Sequence, residues 1–168
     1  MPEKAVVEKA KRKLRAGKSP STAAGEFIRE EMHHVREGKH GARSPEQAIA
    51  IGLSKARRAG VPLKAPKPGT AKRSTRRAAQ RAYEVGQGRR KPRAPSKKRG
   101  RAVERALERE PHRTASRAAL SAHAHRAAGR RSATSRSAAA RKAAATKGPA
   151  VRRQAAKKAA RTRRQRAH

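Results

Sequence analysis

Apolar positions recur with helical spacing three times within residues 1–63 and then thin out. Val6, Val7, Ala10 and Leu14 fall at i, i+1, i+4 and i+8, with Lys9, Lys11, Arg12, Lys13 and Arg15 around the rest of the cylinder. This spacing predicts a basic amphipathic helix from Glu3 to Ala16, ended by Gly17. Ser19 as N-cap, followed by Pro20 where a missing N–H costs nothing, opens a second helix that runs to Glu37 before Gly38. Its stripe is Ala24, Phe27, Ile28 and Val35, with Glu31 a polar flaw inside it and Met32 at its edge. Ser44, Pro45 and Gln47 repeat the opening and complete a capping box. A left-handed Gly60, Val61 folding back on Ala56, and Pro62 predict where this third helix stops. Its stripe is Ala48, Ile49, Gly52, Leu53 and Ala56, in which Gly52 would let another helix approach closely. Ile51 points the other way, so the helix is expected to be sandwiched by the first helix or by a second copy of the chain.

Composition changes the picture after Leu63. Of 168 residues, 48 are Lys or Arg and 11 are acidic, for a net charge of +37, and the acids are all Glu. Residues 1–63 hold 14 of the cations and 7 of the acids; residues 64–168 hold 34 and 4, and no acid follows Glu110. The larger apolar residues beyond Leu63 are Tyr83, Val85, Val103, Leu107, Leu120 and Val151. Low hydrophobicity and high net charge leave too little apolar area to offset chain entropy. The expected architecture is a small all-α module of three short helices, residues 1–63, followed by a low-complexity Ala/Arg/Lys-rich tail, 64–168, mostly disordered with transient helices. Residues 101–110 (RAVERALERE) read as a marginal helix, and 138–145 and 150–164 as segments that coil once phosphate removes like-charge repulsion. A module this small is marginal alone, which leaves a homodimer through it open. Without Cys, a disulfide scaffold and a zinc finger are excluded, and no apolar run is long enough for a membrane span.

The run AGEFIREEMHHVREGKHGARSPEQAIAIGLSKARRAGV, residues 24–61, resembles a family of small basic bacterial proteins whose shared segment is a domain of unknown function. The likeness is greatest over SPEQAIAIGLSKARRAG, residues 44–60, with REGKHGAR before it. It implies a short helical module followed by a variable basic tail, loosely associated with DNA binding, and no catalytic residues. Residues 113–167 separately resemble, in composition, the Ala/Lys/Arg tails of linker histones and bacterial histone-like proteins.

The candidate contacts are the basic clusters Arg73/Arg76/Arg77, Arg89/Arg90, Lys97/Lys98/Arg99/Arg101, Arg130/Arg131, Arg152/Arg153, Lys157/Lys158 and Arg161/Arg163/Arg164, joined by Lys55, Arg57 and Arg58, read as outward-facing on the third helix. Such clusters attract a polyphosphate because each neutralised phosphate releases condensed counterions. Two aromatics cannot build a base-stacking platform, and the third helix lacks the Asn/Gln/Arg set near its start that would read base edges. His33, His34, His40 and Glu37 are read as ordinary surface groups, Glu30 facing His34 and His33 facing Glu37, so no metal and no cofactor are expected. No nucleophile with an orienting base is visible, so no enzyme is expected. Glu3 and Glu8 interrupt any targeting-peptide pattern. The expectation is therefore a cytoplasmic, nucleoid-associated protein that binds and compacts DNA with little sequence preference. An RNA- or ribosome-associated protein, or a protein-interaction module with an electrostatic tail, are the alternatives.

Overall fold

The computed structural model describes residues 2–92, 94 and 96–166. Helices run from end to end of the described chain: α1 Lys4–Arg15, α2 Pro20–Arg36, α3 Pro45–Arg58, α4 Arg73–Gly86, α5 Lys97–Glu108, α6 Arg117–Gly129 and α7 Ala133–Arg166, with a 3-10 turn, His112–Ala115, before α6. The disordered tail expected beyond Leu63 is overturned, since α4 to α7 lie there. Two compact units result, one up to His123 and one from Ala124 onward.

The first three helices start and stop for the local reasons the sequence offers. Ser19 Oγ accepts the Thr22 N–H and Ser44 Oγ accepts the Gln47 N–H, both at 3.3 Å, ahead of a proline at each helix start. Gln47 Oε1 accepts the Arg43 N–H at 2.9 Å, so the side chain reaches back one residue before the cap. Gly60 takes φ +90°, the Gly60 N–H donates to Arg57 O and the Val61 N–H to Ala56 O, and buried Val61 closes the end of α3.

The core divides into two clusters along α2. Ala23, Ala24 and Phe27 meet Ala10 of α1 and Ala56 of α3, with Val6, Val7, Leu14 and Leu53 at the margin. Met32, Val35, Ala42 and Ala48 form the other cluster with Ala115 from the 3-10 turn, and Ile28, Ile49 and Leu120 pack against it. α3 is sandwiched, and its neighbours are α2 and α4. A Cβ on Gly52 would stand 2.8 Å from Ile28 Cα and 3.1 Å from Phe27 O, so the α2 and α3 backbones touch where the stripe lacks a side chain. Glu31 is buried rather than a flaw, held by Lys55 Nζ at 2.6 Å from Oε2, outside hydrogen-bond geometry, and by His40 Nε2 at 3.0 Å from Oε1.

The physical reason for order beyond Leu63 is packing by small residues. α4 buries Ala79 and Ala82, and at its C-terminal end a Cβ on Gly86 would overlap the Arg57 carbonyl oxygen. Gln87 Nε2 donates to Gly60 O at 3.1 Å. The chain after α5 returns to the module: the Gly41 N–H donates to Leu107 O at 2.8 Å, the Ala42 N–H to Pro111 O at 3.2 Å, and Arg36 Nε to Ala115 O at 2.8 Å. Among the described residues, Ala supplies nine of the thirteen buried hydrophobic positions. A count of large apolar side chains misses such a core.

The unit from Ala124 onward is different. It holds the end of α6 and all of α7, whose two helical stretches meet at Gly148, φ 68° and ψ 167°, just before Pro149. None of its described residues is buried. Strong intrinsic helix formers, Ala and Arg above all, favour helix there without a core.

Candidate nucleic-acid interface

Three clustered arginines of α4 line one cleft. Arg73, Arg76 and Arg77 project from its first turns, Arg89 from just past its end, and the 64–68 segment adds Lys64 and Lys67 opposite them. The cleft encloses about 730 Å³ and has Tyr83 and Gln80 in its wall. A turn shapes the facing segment: Thr70 Oγ1 donates to Lys67 O at 2.7 Å, and Gly69 at φ +81° completes the bend. Arg76 Nε is buried without a hydrogen-bond partner, so its planar donor set is only partly used. Glu84, on the same helix, is occupied: Gln80 Nε2 donates to it at 2.9 Å and Arg90 lies at 3.4 Å. The Gln80 amide first, then Arg90 and Arg89, hold its carboxyl below the usual range against partial desolvation. Lys64 and Lys67 escaped the sequence reading, because the turn at Gly69 is what brings their segment against α4.

Helix polarity sharpens this electrostatic picture. α1 and α3 carry their cations in the last turn, Arg12, Lys13 and Arg15 in one and Lys55, Arg57 and Arg58 in the other, where the negative end of the helix dipole welcomes them. α4 and α5 do the reverse: Arg73, Arg76, Lys97, Lys98 and Arg99 crowd the first turn or next to it, with no acid in either first turn. Cations at the positive end repel the helix amides, and a bound anion relieves both.

Two of the three α3 candidates are withdrawn. Arg57 is buried, donating from Nε to Leu63 O at 3.1 Å and from Nη2 to Lys64 O at 3.4 Å; burial lowers its pKa from the ordinary guanidinium value. Lys55 is the half-buried partner of Glu31. Arg58 is exposed as expected, and lines a cleft of about 640 Å³ with Lys4, Val7 and Lys11. The reason is the turn after α3, which folds residues 61–64 back over Arg57 and gives it carbonyls to bond.

The other candidates are exposed, on helices except for Arg130 and Arg131. Lys97, Lys98, Arg99 and Arg101 occupy α5, where Ser96 Oγ accepts the Arg99 N–H as cap. Arg130 is exposed between α6 and α7, while Arg131 is engaged with Ser135, donating to its Oγ and carbonyl at 3.2 Å. Arg152, Arg153, Lys157, Lys158, Arg161, Arg163 and Arg164 are exposed along α7. Arg153, Lys157, Arg161 and Arg164 recur at i, i+4, i+8 and i+11, so they share one face over about 16 Å of helix. Val151, Ala155 and Ala159 share the face opposite.

Comparison with protein-family models, curated proteins and solved structures gave no match. No helix among the described residues is long and apolar enough to cross a membrane.

Proposed function

We propose that this chain is a non-enzymatic protein that binds duplex DNA in the nucleoid through its phosphates, with little sequence preference, and neutralises it so that it compacts. One observation carries the reading: residues 124–168 hold 15 Lys and Arg and no acid, and every one of those cations whose side chain is described is exposed, on helix except for Arg130 and Arg131. Within a protein, charges of one sign at this density repel one another, and a partner of opposite charge removes the repulsion. The α4 cleft supports the same reading with guanidinium groups whose fork matches phosphate oxygens. Sparse aromatics and the lack of an Asn/Gln/Arg set at the start of α3 argue for backbone contact rather than base readout.

The test is fluorescence anisotropy of the full chain with two unrelated duplexes and one RNA duplex of equal length, across a salt series. The logarithm of affinity falls against the logarithm of salt with a slope of about −0.9 per phosphate neutralised, so a contact of ~10 phosphates gives about −9. Equal affinity for the two DNAs is the expected outcome. A tenfold preference for one DNA sequence that persists at moderate salt defeats the proposal, and a tenfold preference for RNA moves the partner from DNA to RNA.

A further inference from the structure

We propose that Glu3, Glu30 and His34 form a site for one divalent transition-metal ion of the zinc class, independent of nucleic-acid binding. One ligand atom of each lies within 4.8 Å of those of the other two, and all three residues line one cleft of about 250 Å³ between α1 and α2. His34 Nε2 stands 3.8 Å from Glu3 Oε1. Donors at ~2.1 Å from a tetrahedral ion are roughly 3.4 Å apart. The exposed Glu3 side chain can close the remaining gap.

Glu30 points to the ligand. It is 6 % exposed, its Oε1 accepts the Glu3 N–H at 2.7 Å, and its Oε2 is buried with no hydrogen-bond partner. The cations lining the same cleft serve other acids: Arg29 is 3.4 Å from Glu26, Lys39 is 3.1 Å from Glu37, and Lys9 adds its field to Glu26. Among the described residues, no Lys or Arg forms an ion pair with Glu30. A buried carboxylate without a counter-charge is costly, and a dication supplies that charge at the place where the free oxygen sits.

The donor set selects the ion. One imidazole nitrogen and two carboxylates suit zinc and its neighbours with a position left for water, whereas calcium and magnesium favour oxygen alone. A second grouping, Glu31, His34 and His40, shares His34. There, however, the Glu31 charge is already balanced by Lys55 at 2.6 Å and contacted by His40 at 3.0 Å, so an ion would have to displace an ammonium. The His40 ring stands edge-on to His34 with centroids 6.1 Å apart and does not line the cleft that Glu3, Glu30 and His34 share. The ion would fasten the start of α1 to the middle of α2.

The experiment titrates the full chain with zinc chloride by calorimetry and with cobalt(II) by visible absorption. One ion per chain, a visible d–d band and a higher Tm with zinc are expected. Glu3→Gln, Glu30→Gln and His34→Gln should each weaken binding by about tenfold or more. Glu3→Gln is the variant least able to disturb folding, since its side chain is 61 % exposed. His33→Gln, at an exposed neighbouring position, and His40→Gln should bind as the parent does. Wild-type-like binding by Glu3→Gln and Glu30→Gln, an equal loss with His33→Gln, or no stoichiometric binding by the parent overturns the proposal.

Discussion

Alanine has opposite roles in the two units of this chain. Up to His123 it is the core: Ala23, Ala24 and Ala56 are wholly buried, and Ala79 and Ala82 let α4 lie on α3. From Ala124 onward it is a spacer, with Ala155, Ala156, Ala159 and Ala160 all exposed between cations. What separates the two is glycine and glutamate. Gly41, Gly52 and Gly86 bring backbones into contact in the first unit, and acids such as Glu26 and Glu31 answer its buried-side cations. The second unit has neither device, so its helices stand on propensity and its charge faces water. A low-complexity composition therefore does not by itself distinguish packing from exposure.

The largest test of this contrast is to neutralise the exposed helix. Changing Arg152, Arg153, Lys157, Lys158, Arg161, Arg163 and Arg164 to Gln should flatten the salt slope of DNA binding by up to about 6 and cost orders of magnitude in affinity at low salt. The melting of the first unit should stay the same. Unchanged affinity would place the contact on α4 and α5 instead.

The contrast can be broken from the other side by adding single methyl groups. Ala at Gly41 would overlap the Glu110 carbonyl, Ala at Gly86 that of Arg57, and Ala at Gly52 would press on the Ile28 backbone. Each should destabilise the first unit by about 1–3 kcal/mol in chemical denaturation, at Gly52 and Gly86 in spite of the better helix propensity of Ala. A stabilising Gly41→Ala would show that the return of residues 107–115 is not part of the fold.

A smaller effect separates two adjacent arginines. Arg57→Ala removes two hydrogen bonds from a charged donor and leaves the Leu63 and Lys64 carbonyls to other partners, a cost of about 1–3 kcal/mol, with DNA affinity nearly unchanged. Arg58→Ala should leave stability unchanged and lower affinity slightly, by at most one phosphate contact.

The smallest effect concerns acid. Glu46 is held at a pKa lowered from 4.5 to about 2, by its own backbone N–H first and then by His123 at 2.8 Å and Ser44. Glu26 is lowered by its hydrogen bond with Lys13 and by Arg29, against partial desolvation. A depressed carboxyl stabilises above its unfolded pKa and loses that contribution as pH falls through the folded value. Stability of the first unit should thus decline from about pH 4.5 toward 2, while residues 124–168, which hold no acid, keep their helix signal. Glu46→Gln should remove part of the decline.

Signals that act within a few residues were legible along the chain. Ser19 and Ser44 with their prolines, Gly60 with Val61, and the three stripes place α1 to α3 within a residue or two of where they lie. The missing side chain at Gly52 likewise announced a close approach, whereas the cationic run of α7, expected to be disordered without phosphate, is helical in the chain by itself. The basic clusters were equally plain, since a cluster of Arg in a chain without nearby acids has few places to go but the surface.

Other decisions belonged to the tertiary structure alone. Arg57 and Arg58 are neighbours of the same type at a helix end, and only the turn that lays Leu63 and Lys64 over one of them sends it inward. Glu31 looked like an error in a stripe until Lys55, 24 positions on, and His40 closed around it. Gly41 and Ala42 pair with Leu107 and Pro111 across more than sixty residues of chain, with no local pattern in either segment to say so. The sequence by itself determined the helices and the charge, because propensity, caps and ionisation are properties of a residue and its near neighbours. Which alanines are core, which cations are free and which carboxylates are stranded depends on backbones that meet far apart in the chain, and that only the folded structure decides.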